Sequence, residues 1–119
     1  MANLTIGGQV RELRLTVTDI DQAERQIIKA GGRAILDVLG NHGALFAKHE
    51  LEWLVWGSWR HRMSADRVQT LLAQFYADGG TIFELQGAIT EALIDSGLYG
   101  ARQARTEEPA DPQSAGMSA

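Results

Sequence analysis

The chain has 119 residues, 45% of them hydrophobic and 22% charged, which predicts one globular domain and excludes collagen, a disulfide mini-scaffold and bulk disorder. It has no cysteine, so disulfides, thiolate metal sites and cysteine nucleophiles are excluded. A formal net charge of -4 gives no long-range attraction to phosphate backbones or anionic lipid.

Unbroken apolar stretches such as Leu54 to Gly57 are far short of the roughly 20 residues of a membrane-spanning helix. Met1-Ala2-Asn3-Leu4 has no basic region ahead of an apolar one, so no secretory signal is expected. The default expectation is a soluble cytoplasmic protein.

The N-terminus reads as a hairpin. Leu4 and Ile6 flank Thr5, and Gly7-Gly8 supplies the positive φ of a tight turn. Leu13, Leu15 and Val17 then share one face of a strand, with Glu12, Arg14 and Thr16 on the other. Val10 is out of phase with that face, which predicts a bulge or a longer turn beside it.

The period then changes to that of helices. Thr18 and Asp21 give a helix start of the S/T-x-x-D/E kind, followed by Ile20, Ala23, Ile27 and Ile28 at helical spacing. Gly31-Gly32 stops this helix. Ala34, Ile35, Val38 and Leu39 predict a short second helix ending at Gly40-Asn41. Ala44 to Arg60 is the expected central helix. Ser64 caps a fourth, with an apolar stripe of Val68, Leu71, Leu72, Phe75 and Tyr76, and Gly79-Gly80 ends it. Thr81 and Glu84 form a capping box for a fifth helix that turns Ile82, Leu85, Ile89, Ala92 and Leu93 inward and closes at Gly97.

The expected fold is α+β and predominantly α-helical: an N-terminal two-stranded hairpin followed by four or five helices, over residues 1–99. From Gly100 the chain holds both prolines and no aromatic or branched aliphatic residue, so residues 100–119 are expected to be a disordered tail.

No catalytic or metal constellation emerges. His49-Glu50 begins like the H-E-x-x-H zinc motif, but Trp53 stands where the second histidine belongs. His42, His49 and His61 therefore read as surface or cap residues. Asp19-Ile20-Asp21 lacks the glycine and terminal glutamate of a calcium loop. The glycine pairs fit neither phosphate-loop pattern, and Ser58 is one glycine short of a nucleophile elbow. Glu50 and Glu52 are two apart on a helix and do not face each other. No cofactor is expected.

Two helices joined at Gly79-Gly80 look like a helix-turn-helix, but residues 82–96 carry Glu84, Glu91 and Asp95 and no Lys or Arg. The basic cluster Arg60, His61, Arg62 and Arg67 lies where the central helix ends and complements its dipole. Neither nucleic acid nor membrane is an expected partner.

The tryptophans remain. Trp53, Trp56 and Trp59 span about 120° of a helix surface, too wide for one narrow seam. Trp53 and Trp56 suit core packing, although Trp56 stays a candidate for contact. Trp59 is the best candidate for an exposed anchor, because Trp59-Arg60 joins the two residue types most enriched at binding hot spots. Phe83 and Ile94 fall off the main stripe of the last helix. Leu98 and Tyr99 either fold back or stay free. The candidate partner-binding set is Trp56, Trp59, Arg60, Phe83, Ile94, Leu98 and Tyr99.

Taken together, LTIGGQVRELRLTVTDI, LEWLVWGSWRH, MSADRVQTLLAQF and GGTIFELQGAITEALIDSGL resemble the small tail assembly chaperones of long-tailed bacteriophages and phage-derived gene transfer agents. The first is similar to the family's ribbon with G-x-x-x-x-L-R-L, the second to its L-x-x-L-x-W-x-x-L/W helix. The third and fourth are similar to [LM]-[ST]-x-[DE]-x-V-x-x-L-[LI] and to G-x-x-x-x-E-L-x-x-x-I-x-x-A-L. The resemblance covers roughly residues 4–99 and rests on order and texture. It implies a non-enzymatic protein that keeps the long helical tape-measure protein soluble, helps recruit tail-tube subunits and leaves the finished tail. It also implies a C-terminal extension added by ribosomal frameshifting in some members, joining where the tail from Gly100 begins. The competing expectations are a structural head–tail adaptor or tail terminator and, further off, a small DNA-binding regulator. A homo-oligomer is compatible with each.

Overall fold

A computed structural model describes residues 1–41 and 45–99. His42 and the expected tail from Gly100 lie outside the described residues. The fold is α+β and mostly helical, a two-stranded antiparallel hairpin followed by five helices.

Strands β1 (Ala2–Ile6) and β2 (Gln9–Leu13) pair in register from Ala2–Leu13 to Ile6–Gln9. Gly7 and Gly8 close the turn at φ 59° and 77°, a conformation that costs glycine little. Ala2, Leu4, Ile6 and Leu13 face the core. No bulge accompanies Val10. It sits opposite Thr5 in regular register, on the solvent face of the ribbon.

Helix α1 (Val17–Lys29) starts two residues earlier than the expected Thr18/Asp21 signal. Thr16 is the cap: its hydroxyl accepts from Asp19 N at 3.1 Å, and the Asp19 carboxylate accepts from Thr16 N at 3.0 Å. Both pairs fit the pattern, but Leu15 is the last side chain held in the core by the strand, so Thr16 is the first residue free to cap. Val17 consequently opens the helix and is exposed. Ile28 is also exposed, because the buried stripe is Ile20, Ala23 and Ile27 and Ile28 lies about 100° past it. Gly31, at φ 89°, ends the helix in a Schellman turn, with Gly32 N donating to Ile27 O at 2.8 Å.

Helix α2 (Ile35–Leu39) is short and α3 (Lys48–Trp59) is central. The latter starts at Lys48, later than the expected Ala44. Glu50 draws the chain into helix by accepting from Ala47 N at 2.7 Å, while the buried Phe46 donates from its N–H to Gln86. Ser64 caps α4 (Ala65–Ala77), and Thr81 with Glu84 forms the capping box of α5 (Ile82–Asp95).

Helix α3 packs on α1, α4, α5 and β2, while β1 packs on α4 and α5. Leu51, Leu54, Val55 and Trp59 form the centre of one continuous core. No helix of the described residues is long and apolar enough to cross a membrane.

A candidate helix-binding groove between α2 and α5

The candidate residues fall into two groups. Trp59, the favoured exposed anchor, is 1% exposed, which overturns that reading. Its indole N–H donates to Glu12 O at 2.8 Å and fixes β2 to α3. Arg60 reaches Asp19 at 3.2 Å and is four-fifths covered. Trp53 and Trp56, expected in the core, are instead half-buried at its margin and meet edge-to-face at 5.3 Å. The reversal has a cause. Helix α3 has neighbours on every side, so its sequence shows no single apolar face from which an outward direction can be read.

In the second group Phe83 and Leu98 are exposed, and Ile94 and Tyr99 are half-buried. Phe83, Gly87, Thr90 and Ile94 recur at i, i+4, i+7 and i+11, within about 60° of one another on α5 and opposite Leu85, Ile89 and Ala92. Phe83 is 69% exposed. Toward the other end, Thr90 and Ile94 face α2 across a groove of about 360 Å³ lined also by Leu36, Leu39, Gly40, Leu93 and Tyr99. Leu36 is 64% exposed. Tyr99 folds back after Gly97 to become one wall, and burial followed by the charge of Glu24 pushes its phenol pKa up. Leu98 stays exposed beside it.

The groove is apolar, with no charged residue on its lining. The carboxylates of α5 lie on another side of that helix: Glu91 and Asp95 pair with the Met1 ammonium at 2.9 and 3.8 Å, and Glu84 faces the β1 side. A surface of this kind binds an apolar helix face by contact.

Leu36 is the residue that sequence reasoning left out. A five-residue helix with four apolar positions carries two i, i+3 pairs, Ile35/Val38 and Leu36/Leu39, and only one pair can face the core. That surplus was the available signal.

Glu50 was also passed over, and its role is structural. It is fully buried and accepts from Arg33 N and Nη2 at 2.8 Å each, besides Ala47 N. Burial alone raises its pKa, but the hydrogen bonds from Arg33 and from the two backbone N–H groups outweigh that and hold it at about 2. Arg33 also donates to Leu45 O at 2.8 Å, so this pair fixes the connection on both sides of α2. Glu52, also buried, is held by Lys48 and Gln69. Among the described residues no group of three or more His, Asp or Glu is placed to hold a metal ion.

No protein-family model, no curated protein and no solved structure matches this chain.

Proposed function

We propose that this chain is a non-enzymatic assembly chaperone of the phage-tail kind, which holds a helical segment of a tape-measure protein in the α2–α5 groove and helps recruit tail-tube subunits. The observation that carries the reading is the apolar groove between α2 and α5, with Leu36 exposed on its α2 side. Large apolar side chains left open on a small domain mark a binding surface, and a net charge of -4 helps keep the free protein apart from its own copies. A long helix whose apolar stripe would otherwise self-associate is the client this chemistry suits. The order of elements, a ribbon leading into helices, agrees with the resemblance to tail assembly chaperones.

The test is co-expression with helical fragments of the tape-measure protein encoded beside it, followed by pull-down. Wild type is expected to keep the client soluble and captured, and Leu36→Asp with Ile94→Asp to lose it while remaining folded. Equal capture by that variant overturns the groove as the client site. The chaperone is expected in host cytoplasm and absent from finished particles. Stoichiometric presence in purified particles would favour a head–tail adaptor or tail terminator instead.

A further inference from the structure

The hairpin has two edges, and the fold treats them differently. In a hairpin closed by a two-residue turn, the pair beside the turn is hydrogen-bonded and the bonded pairs then alternate. Ile6–Gln9, Leu4–Arg11 and Ala2–Leu13 are therefore the bonded pairs. The peptide groups of Asn3 and Thr5 on β1, and of Val10 and Glu12 on β2, point outward. Along β2 the outer edge is covered by α3 at Glu12 and just beyond it at Arg14, and is open at Val10 among the described residues. Trp59 donates to Glu12 O, and the Ser58 hydroxyl accepts from Arg14 N at 3.0 Å and donates to Arg14 O at 2.9 Å.

The β1 edge has no such cover. The outward peptide groups of Asn3 and Thr5 meet no hydrogen-bond partner among the described residues. They open on a second groove, about 350 Å³, between β1 and the α4–α5 turn, with Asp78 and Glu84 on its lining and no Lys or Arg. Sheets guard open edges with charged residues, proline or bulges, and β1, Ala-Asn-Leu-Thr-Ile, has none of these.

We infer that the outer edge of β1 accepts an extended peptide segment carrying Lys or Arg, which adds to the hairpin as a third strand. An extended segment supplies the donors and acceptors that Asn3 and Thr5 leave open. A helix has none to give along its length. A basic side chain on the added strand faces Asp78 and Glu84, whereas a second copy of this chain pairing through its own β1 brings a second Asp78 and Glu84 toward the first pair. This site is separate from the α2–α5 groove in place and in the backbone form of its ligand, and does not depend on the client proposed there.

The experiment uses the full chain labelled with nitrogen-15 and two blocked peptides, Thr-Lys-Val-Thr-Val-Lys-Thr and its counterpart with Glu in place of Lys. The Lys peptide is expected to slow hydrogen exchange at the Asn3 and Thr5 amides on the order of tenfold, by burying them in a new ladder. The Glu peptide is expected to bind roughly tenfold more weakly or not at all. Thr5→Pro removes one outward N–H and abolishes binding. Val10→Pro removes the corresponding N–H on the β2 edge and leaves binding intact. Asp78→Asn with Glu84→Gln, which keeps the Thr81 cap, brings the two peptides to similar affinity. The inference is overturned by unchanged exchange at Asn3 and Thr5, by equal affinity of both peptides for wild type, or by shifts confined to Leu36 and Ile94.

Discussion

Helices α3 and α5 are close in length, 12 and 14 residues, and both are rich in large apolar side chains. The first carries all three tryptophans and hides one of them completely. The second carries Phe83 and Ile94 and leaves an apolar stripe open. The difference lies in their neighbours: α3 is enclosed by α1, α4, α5 and β2, while α5 packs on α3 and the hairpin and leaves the side bearing Phe83 uncovered. Aromatic content alone therefore does not mark an interaction surface. An apolar stripe facing away from the only available core does.

The contrast can be broken most forcefully at Trp59. Trp59→Ala removes a fully buried indole and leaves Glu12 O without its donor, and is expected to cost about 3–5 kcal/mol in chemical denaturation. A loss under about 1 kcal/mol would contradict the enclosed α3.

Glu50 comes next. Its folded pKa of about 2 lies below the ordinary 4.5, so its stabilisation is present above pH 4.5 and is lost as pH falls toward 2. Glu50→Gln is expected to cost about 2–3 kcal/mol at neutral pH and to flatten the acid limb of the stability profile over that interval. An unchanged acid limb would remove Glu50 as its source.

The two helices also differ at their glycines. A Cβ on Gly57 of α3 would lie 2.9 Å from Asp19 O and 3.1 Å from Ala23 Cβ, whereas one on Gly87 of α5 would meet nothing within 4 Å. Gly57→Ala is expected to destabilise by about 1–3 kcal/mol by prising α1 from α3. Gly87→Ala is expected to stabilise by about 0.5–1 kcal/mol through helix propensity. Opposite signs sharpen the comparison, and equal signs would undo it. The smallest expected effect is that of Phe83→Ser, within about 0.5 kcal/mol in stability, since that ring has little packing to lose.

Much of this fold is local in the sequence. Gly7-Gly8, Ser64, Thr81 with Glu84, and the glycines at 31, 79 and 97 act through neighbours a few residues away, and each turn or cap stands where its residues put it. The misplaced features are those decided at long range. Thr16 outcompetes Thr18 because Leu15 is pinned in the core. Glu50 is buried because Arg33, 17 residues earlier, reaches it. Trp59 is hidden because the hairpin, 47 residues earlier, lies over it. Of the candidate contact residues, Ile94 and Tyr99 line one groove, Phe83 continues the line of Ile94 along α5, and Leu98 is exposed next to Tyr99 in the chain. Leu36 escaped because a five-residue helix is too short for periodicity to show its outer face.

Site-specific photo-crosslinking during co-expression with the tape-measure client tests the groove most directly. A benzophenone side chain replacing Leu36 or Phe83 is expected to trap the client, and one replacing exposed Arg62, outside the groove, is expected to trap none. Crosslinks from Arg62 alone, with none from Leu36 or Phe83, would contradict the α2–α5 groove as the place where the client is held.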